Sequence, residues 1–391
     1  MRKRRSAPPK KFFWSIALGG LLLVGVGVSA WLGAAGDTEE ALGSTTQAVP
    51  YPAQYSDAHI TENAVVADPR FKDIAIPRRI SFLASVLPGF PPSRSFAPDT
   101  SEPEQGTWLW TPTLDITPQY RDAVIAEARN NGIRNIYLSI DSYLDIYVMP
   151  DGPEKYAKQK AFDKVLEDFI ATARASGIAV DAEGGWRNWA EKGHVYKPFA
   201  LLEYVKGFNA AHTEKFRGFQ YDIEPYLLSE YQGDKRRVLS DYLDLMGETV
   251  ARLDSTDLLF SVVIPYFYDD GDETPRFVYG LRAGYALDHL FAILERRPGS
   301  KLIVMAYRNH SDGADGSVEI SRGEMKMSER FATKVVIAQE TGDVTPSFVT
   351  FYNTSRSRLN AQLQNIHDAF AENKRYDGTA IHYLNALLAL K

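Results

Sequence analysis

The sequence predicts an α/β fold, a (β/α)8 TIM barrel preceded by an N-terminal transmembrane helix and a proline-rich linker. Short apolar runs recur from residue 108 onward at intervals of roughly 30 to 45 residues, the length of a strand-plus-helix unit. Helical patterns fill the intervals, and eight alternating units are the signature of such a barrel. The eight runs are residues 108–110, 136–140, 178–180, 219–223, 259–264, 302–305, 335–338 and 379–382.

The N-terminus predicts a membrane anchor. Residues 1–11 carry six basic side chains and should form a cytoplasmic tail, and residues 12–35 carry no charge. Such a run is long enough to span about 30 Å of hydrocarbon as a helix. The basic flank stays inside and sends the rest of the chain across the inner membrane as a single-pass protein. The alternative is a cleaved signal peptide ending near Ala30, which would release a secreted protein.

Residues 36–105 read as a linker or extension, because prolines are frequent and periodicity is weak. Residues 106–391 should form the barrel. Helical segments are predicted between its strands, and the first begins with the cap-then-proline pair Thr117-Pro118 and stops before Gly132. These helical segments are residues 121–130, 161–175, 199–211, 235–253, 285–295, 323–333 and 357–371.

Composition excludes several classes of function. The formal net charge is −6 and the sequence pI is about 5.7, so no nucleic-acid partner is expected, since such partners favour basic domains. The chain has no cysteine, which excludes disulfides and thiolate metal ligands. Its seven histidines show no ligand spacing. No metal and no cofactor are predicted.

The fourth predicted strand carries the strongest chemical signal. Read as a strand, residues 219–224 place Gln220, Asp222 and Glu224 on one face and apolar or aromatic residues on the other. Pro225 then interrupts the strand, because it has no N–H to donate. Two carboxylates at the end of a strand core indicate a function, since an unpaired buried charge is costly.

Other polar and aromatic residues follow the remaining strands, where barrel enzymes place their chemistry. Acids that protonate a leaving oxygen, with rings that stack on sugars, suit glycoside cleavage. The predicted partner is therefore a carbohydrate, an envelope or extracellular polysaccharide. The predicted catalytic residues are Glu224, Asp222, Tyr307 and Glu340. The predicted substrate-binding residues are Trp110, Asp141, Glu183, Trp186, Gln220, Tyr266, Arg308, Asn309 and His382.

Three sequence motifs resemble the family 18 glycoside hydrolases, the chitinase-like enzymes. Residues 216–224 resemble their strand-four motif Asp-Gly-x-Asp-x-Asp-x-Glu, with Arg217 and Gln220 in place of two acids. Residues 305–307 and 184–186 resemble their Met-x-Tyr and Gly-Gly segments. The resemblance implies that Glu224 is the general acid, that Asp222 orients a substrate N-acetyl group, and that Tyr307 bonds it. Arg308 stands where that family has an acid or an amide.

A second resemblance is to the clan of retaining glycosidases with acids on strands four and seven. There strand four ends in Asn-Glu-Pro, and Glu224-Pro225 matches it with Ile223 in place of the asparagine. The resemblance implies that Glu340 is a nucleophile. The two resemblances agree on Glu224, and the sequence favours substrate assistance over Glu340. A carbohydrate-binding barrel without catalysis and an envelope scaffold are the alternatives from other classes.

Overall fold

The computed structural model describes residues 103–391 of the chain. The predicted cytoplasmic tail, the membrane anchor and nearly all of the predicted linker lie outside the described residues. Within residues 103–391, no helix is both long enough and apolar enough to cross a membrane.

Eight parallel strands close into the predicted barrel. In chain order the ten strands of the described region are numbered β1 to β10, and the barrel runs β1-β2-β3-β4-β5-β8-β9-β10 and back to β1. β6 and β7 form a separate antiparallel hairpin. The bounds are β1 Glu104–Leu109, β2 Asn135–Ser139, β3 Ala179–Gly184, β4 Gly218–Tyr221, β5 Leu259–Pro265, β6 Phe277–Tyr279, β7 Arg282–Gly284, β8 Lys301–Met305, β9 Lys334–Glu340 and β10 Tyr376–His382.

Helices connect the strands and cover the outside of the barrel. The first begins as predicted, because the Thr117 side chain accepts the Tyr120 N–H and Pro118 occupies the first helical position. Asp234 and Ser355 cap two later helices in the same way. The described helices are α1 Pro118–Asn130, α2 Tyr143–Tyr147, α3 Pro153–Ala175, α4 Tyr196–Ala211, α5 Lys235–Leu253, α6 Ala286–Leu294, α7 Ser317–Ile320, α8 Arg322–Ser328, α9 Arg356–Phe370 and α10 Leu384–Ala389.

The alternation of side chains along the strands separates two layers of core. Phe219, Tyr221 and Ile223 are buried between the sheet and the helices, as predicted. A smaller cluster fills the inside of the barrel and contains Trp108, Tyr137, Val263, Ile303, Met305, Val336, Ala338 and Ala380. The polar row of strand four therefore belongs to the inside of the barrel.

Strand boundaries differ from the prediction in two places that matter for the site. β4 ends at Tyr221, so Asp222 and Glu224 follow the strand instead of belonging to it. β3 extends to Gly184, so Asp181 lies well inside it. There Asp181 accepts hydrogen bonds from Arg217 and Asn135, residues at the N-terminal ends of their strands. The predicted third strand, residues 178–180, therefore stopped four residues too early.

Candidate active site

The chain turns away from the barrel directly after β4. Ile223 remains buried while Asp222 and Glu224 on either side of it are partly accessible. Pro225 starts a short 3-10 helix, Pro225–Leu227, and removes the N–H that another strand residue would donate. This local sequence places two carboxyls at the C-terminal mouth of the barrel, where barrel enzymes carry their chemistry.

Glu224 lies among groups that act on its charge in opposite directions. Burial raises the pKa of Glu224 above its usual range, and the Glu340 carboxylate adds to this increase. The Tyr226 hydroxyl, which donates a hydrogen bond to Oε2 of Glu224, and the His382 ring both lower that pKa. The net increase keeps a larger fraction of Glu224 protonated at a given pH, as a general acid requires.

Asp222 is one of three acids at neighbouring strand ends. Burial, reinforced by the Glu224 carboxylate, raises the pKa of Asp222 to about 8. Burial also raises the pKa of Glu183 and of Asp141 well above their usual range, and the neighbouring carboxylates add to both increases. These shifts favour the protonated form of all three carboxyls at neutral pH.

Glu340 and His382 form a pair at the ends of β9 and β10. His382 Nδ1 lies 2.7 Å from Oε2 of Glu340, and the backbone N–H of Gly342 donates to Oε1 over 2.6 Å. Burial lowers the pKa of His382, but the charge and hydrogen bond of Glu340 outweigh it, so the net shift is upward. Asp222 and Glu224 add to the increase, which favours a protonated ring paired with the Glu340 carboxylate.

Aromatic rings surround His382. Trp108 and Trp110 meet it edge-on, with ring centroids 5.5 and 5.9 Å away, and Tyr307 stacks on it at 6.0 Å. Trp110 and Tyr307 are partly buried against the inner core. Trp110 and Tyr307, both predicted site residues, thus lie next to the His382–Glu340 pair and remain partly accessible.

Three other predicted site residues are held in loop contacts. Arg308 pairs with Asp315 through two bonds of 3.0 and 2.8 Å, and its guanidinium lies 5.1 Å from the centre of the Tyr266 ring. Asn309 donates its side-chain N–H to the Ser347 carbonyl over 2.9 Å. These bonds connect the loop after β8 with neighbouring loops, and they engage the polar groups that were expected to bind substrate.

Gln220 lies inside the barrel and is fully buried. Its carbonyl accepts the Trp108 indole N–H over 2.7 Å, and its amide nitrogen donates to the Ser261 hydroxyl over 3.3 Å. Its amide is therefore occupied by protein partners. Trp186 packs against the outer core, with the Arg187 guanidinium 5.2 Å from its ring centre.

Sequence reasoning assigned no role to Tyr226 or Lys197. Tyr226 follows Glu224-Pro225 directly, so its position two residues from the acid was the available signal. Lys197 lies on α4, is buried, and lowers the pKa of Asp141. No local sequence pattern connects a helix lysine with an acid more than fifty residues earlier in the chain.

Among residues 103–391, no group of three or more His, Asp or Glu side chains is arranged to hold a metal ion.

No protein-family profile and no characterised protein sequence matches the chain. Solved structures resemble it in fold at low sequence identity. The β-mannanase of the blue mussel Mytilus edulis is 12% identical with a TM-score of 0.44, over 73% of this chain and 90% of that one. A family GH18 chitinase from Cycas revoluta, in complex with (GlcNAc)3, is 12% identical with a TM-score of 0.44, over 73% and 96%. The spore cortex-lytic enzyme of Bacillus megaterium is 13% identical with a TM-score of 0.41, over 75% and 74%. The chain has the TIM-barrel fold, which its own closed sheet of eight parallel strands shows.

Proposed function

We propose that this chain is a glycoside hydrolase in which Glu224 protonates the leaving glycosidic oxygen. The observation that carries the proposal is the position of Glu224, at the barrel mouth with its pKa raised and a second acid, Glu340, close enough to contribute. Glycoside cleavage uses such a pair, one carboxylic acid and one carboxylate. The proposed substrate is an envelope or extracellular polysaccharide, with Trp110 and Tyr307 as stacking surfaces.

Glu340 is our first candidate for the second group. Its carboxylate is oriented by two donors, His382 Nδ1 and the Gly342 N–H, and the raised pKa of His382 favours the charged ion pair. An ionised, oriented carboxylate suits a nucleophile that attacks the anomeric carbon in retaining hydrolysis.

Substrate assistance through Asp222 is the competing route, and it is the one that the sequence favours. There the substrate must carry an N-acetyl group, Asp222 orients it, and Tyr307 bonds it. Because the pKa of Asp222 is raised to about 8, Asp222 is mostly neutral at pH 7. A neutral carboxyl stabilises developing positive charge less than a carboxylate does, which is why we place Glu340 first.

Turnover of a polysaccharide panel tests the proposal, with N-acetylated and unacetylated substrates side by side. Glu340→Ala is then assayed on an active substrate with added azide. Restored turnover that yields a sugar azide identifies Glu340 as the nucleophile. Near-normal activity of Glu340→Ala, together with an inactive Asp222→Ala and a requirement for N-acetyl groups, identifies substrate assistance.

A carbohydrate-binding barrel without catalysis is the second candidate. Two observations favour it: Gln220 is engaged by Trp108 and Ser261, and Arg308 is engaged by Asp315. Both residues stand where the chitinase-like motif has groups that take part in catalysis. Binding of a polysaccharide without turnover, measured by calorimetry on the same panel, would support this candidate against the hydrolase.

The proposed location is the outer side of the inner membrane, with residues 12–35 as anchor. The basic flank and the long uncharged run support this proposal. Protease added to spheroplasts should digest the barrel, and protection of the barrel would contradict the topology. Release of soluble protein would instead support the cleaved signal peptide.

A further inference from the structure

Three neighbouring strands each bring one acid to the barrel mouth. Asp141 follows β2, Glu183 is the penultimate residue of β3, and Asp222 follows β4. Glu183 is in register with Ser139 on one side and Gln220 on the other. Glu183 is fully buried, and the proposed hydrolysis gives it no direct part.

Two glycines allow the acids to come close. A Cβ on Gly184 would lie 2.7 Å from Oδ1 of Asp141, and a Cβ on Gly185 would overlap the backbone oxygen of Asp222. The Asp222 N–H donates to the Gly184 carbonyl over 3.2 Å. The Gly184-Gly185 pair thus lets Asp141 and Asp222 pack on either side of the end of β3.

Four of the six oxygens of the three acids have no well-formed hydrogen bond within the described residues. Within residues 103–391, no hydrogen-bond partner satisfies Oδ1 of Asp141, either carboxyl oxygen of Glu183 or Oδ1 of Asp222. The three acids face few compensating charges. Besides each other, the groups that act on them are the Gly185 backbone N–H and Lys197 on Asp141, and the Ser139 hydroxyl on Glu183. Glu224 and His382 act on Asp222, and Tyr242 lies next to it.

Such a cluster cannot be fully ionised. Three carboxylates against one buried ammonium leave uncompensated charge in a poorly solvated site, which costs far more than retaining protons. A carboxylic acid beside a carboxylate satisfies both groups, directly or through one buried water. The raised pKa values of Asp141 and Glu183 agree with acids that stay protonated when Asp222 ionises.

We propose that Asp141 and Glu183 are positioning residues that form a buried proton reserve for Asp222. The inference rests on the proposed role of Glu224 as the acid. Its consequence is that Asp222 can become protonated when Glu224 loses its proton during turnover, without taking a proton from bulk solvent.

The proton balance closes over one cycle. Glu224 gives its proton to the glycosidic oxygen as the C–O bond breaks, and becomes a carboxylate. At pH 7 Asp222 is mostly protonated, and in its minor ionised form the proton lies on the Glu183–Asp141 pair. The new charge on Glu224 raises the pKa of Asp222 further and draws that proton back onto Asp222. When water attacks, Glu224 removes its proton, and Asp222 returns the borrowed proton to the pair. No net proton is consumed by the reserve.

Infrared spectroscopy of the full chain tests whether the reserve holds a proton. The carbonyl stretch of a protonated carboxylic acid should be present at pH 7 in the wild type and reduced in Glu183→Gln. The difference spectrum isolates Glu183 from other buried acids such as Glu324. Glu319→Gln, on the exposed surface of α7, should leave the band unchanged. A difference spectrum that shows only a lost carboxylate would overturn the proposal.

Kinetics test whether the proton is used. Glu183→Gln keeps the shape of the side chain but cannot release a proton, whereas Glu183→Asp keeps the acid and shortens it. We expect kcat of Glu183→Gln to fall by about 10²-fold, the low end of the 10²–10⁴-fold range for general acid–base catalysis, with KM unchanged. Glu183→Asp should retain more activity than Glu183→Gln. The reverse order would mean that Glu183 only fills space.

The two readouts separate this inference from the proposed function. The infrared band needs no substrate, so loss of the band in Glu183→Gln supports the protonated cluster even in a barrel that only binds sugar. If Glu224→Gln keeps full turnover while the band behaves as expected, the acid assignment fails and the protonated cluster stands. If the band is absent from the wild type, the reserve fails and Glu224 is unaffected.

Discussion

Asp181 and Glu183 are two residues apart on the same strand, and their environments are opposite. Both are almost completely buried, at 4% and 0% exposure. Burial alone would raise the pKa of Asp181, but the charge and hydrogen bonds of Arg217 outweigh it, and the pKa falls. Burial, reinforced by the charges of Asp141 and Asp222, raises the pKa of Glu183. One strand thus carries an ionised acid toward one end of the barrel and a protonated acid toward the other.

The contrast extends to both ends of the barrel. At the N-terminal end, Arg217 bridges Asp181 and Glu104, and Asp377 is paired with Lys301 and Lys334. At the C-terminal mouth, acids neighbour acids. Paired charges hold strands in register, whereas unpaired acids cost stability and are kept where chemistry needs them. We therefore expect the first end to contribute to the stability of the barrel and the second to carry the proposed chemistry.

The largest effect is expected for Glu224→Gln at the mouth. The substitution keeps the shape and removes the acidic proton, so activity on a poor leaving group should fall by about 10²–10⁴-fold. Stability should not fall, because a buried group that prefers to be neutral becomes permanently neutral. Steady-state kinetics and thermal unfolding measure the two quantities.

Glu319→Gln is the control for this substitution, since Glu319 lies on the exposed surface and pairs with Arg322. It should change neither activity nor stability measurably. Wild-type turnover by Glu224→Gln would remove Glu224 from the mechanism and leave the mouth without an identified acid.

Arg217→Met, at the N-terminal end of the barrel, should lower stability and leave activity unchanged, the reverse of Glu224→Gln. It leaves Asp181 and Glu104 without their shared cation, and breaking a buried pair in this way costs about 3 kcal/mol. Chemical denaturation measures the loss, and Arg236→Met on the exposed surface of α5 is the control. Folded Arg217→Met protein should keep the wild-type kcat. A large loss of kcat with normal stability would show that the two ends are not separate in function.

The order of the eight barrel strands was predictable from the sequence because apolar runs and helix caps are local signals. Helix α5 was predicted with its bounds, Lys235–Leu253. The hairpin of β6 and β7 was not predicted, since its strands have only three residues each. The third strand was predicted to end at residue 180 because two acids follow the apolar run, yet Asp181 and Glu183 both belong to β3.

The candidate site was predictable as a set of residue types but not as a set of contacts. Alternation placed Gln220 with Asp222 and Glu224, yet only the closed barrel brings Trp108 and Ser261 to the Gln220 amide. The pairing of Glu340 with His382 joins two strands whose neighbours are not visible locally. Such contacts depend on barrel closure, which sets their distances.

The pH dependence of stability should have opposite signs for Asp181 and Glu183. Asp181 has a lowered folded pKa, so its stabilising contribution is present above the unfolded pKa and is lost as pH falls through the folded pKa. Glu183 has a raised folded pKa, so its contribution is present below the unfolded pKa and is lost as pH rises toward the folded pKa.

Two conservative variants measure this difference by denaturation across pH. Relative to wild type, Asp181→Asn should be least destabilised in strong acid, and Glu183→Gln should gain stability as pH rises above the usual range for a glutamate. Parallel curves for the two variants would mean that the two ends do not differ in protonation.

Tyr226→Phe should have the smallest effect and bears on the acid itself. The Tyr226 hydroxyl donates to Glu224 and lowers the pKa of that carboxyl, because the bond favours the charged form. Removing the bond should raise the pKa of Glu224 further and move the alkaline limb of the activity profile upward by about one pH unit, since a bond to a charged group contributes about 1.5–3 kcal/mol.

Tyr268→Phe is the matched control, because the Tyr268 hydroxyl is buried and has no hydrogen-bond partner within residues 103–391. It should leave the alkaline limb in place. A downward shift in Tyr226→Phe would mean that the hydroxyl favours the neutral form of Glu224, for example by accepting a hydrogen bond from the protonated carboxyl. Glu224 would then be held protonated by a specific bond rather than by the lack of partners that distinguishes the mouth from the opposite end. If the alkaline limb is unchanged in both variants, it reports the titration of a group other than Glu224. Asp222 is the first such group to test, because its pKa is raised to about 8.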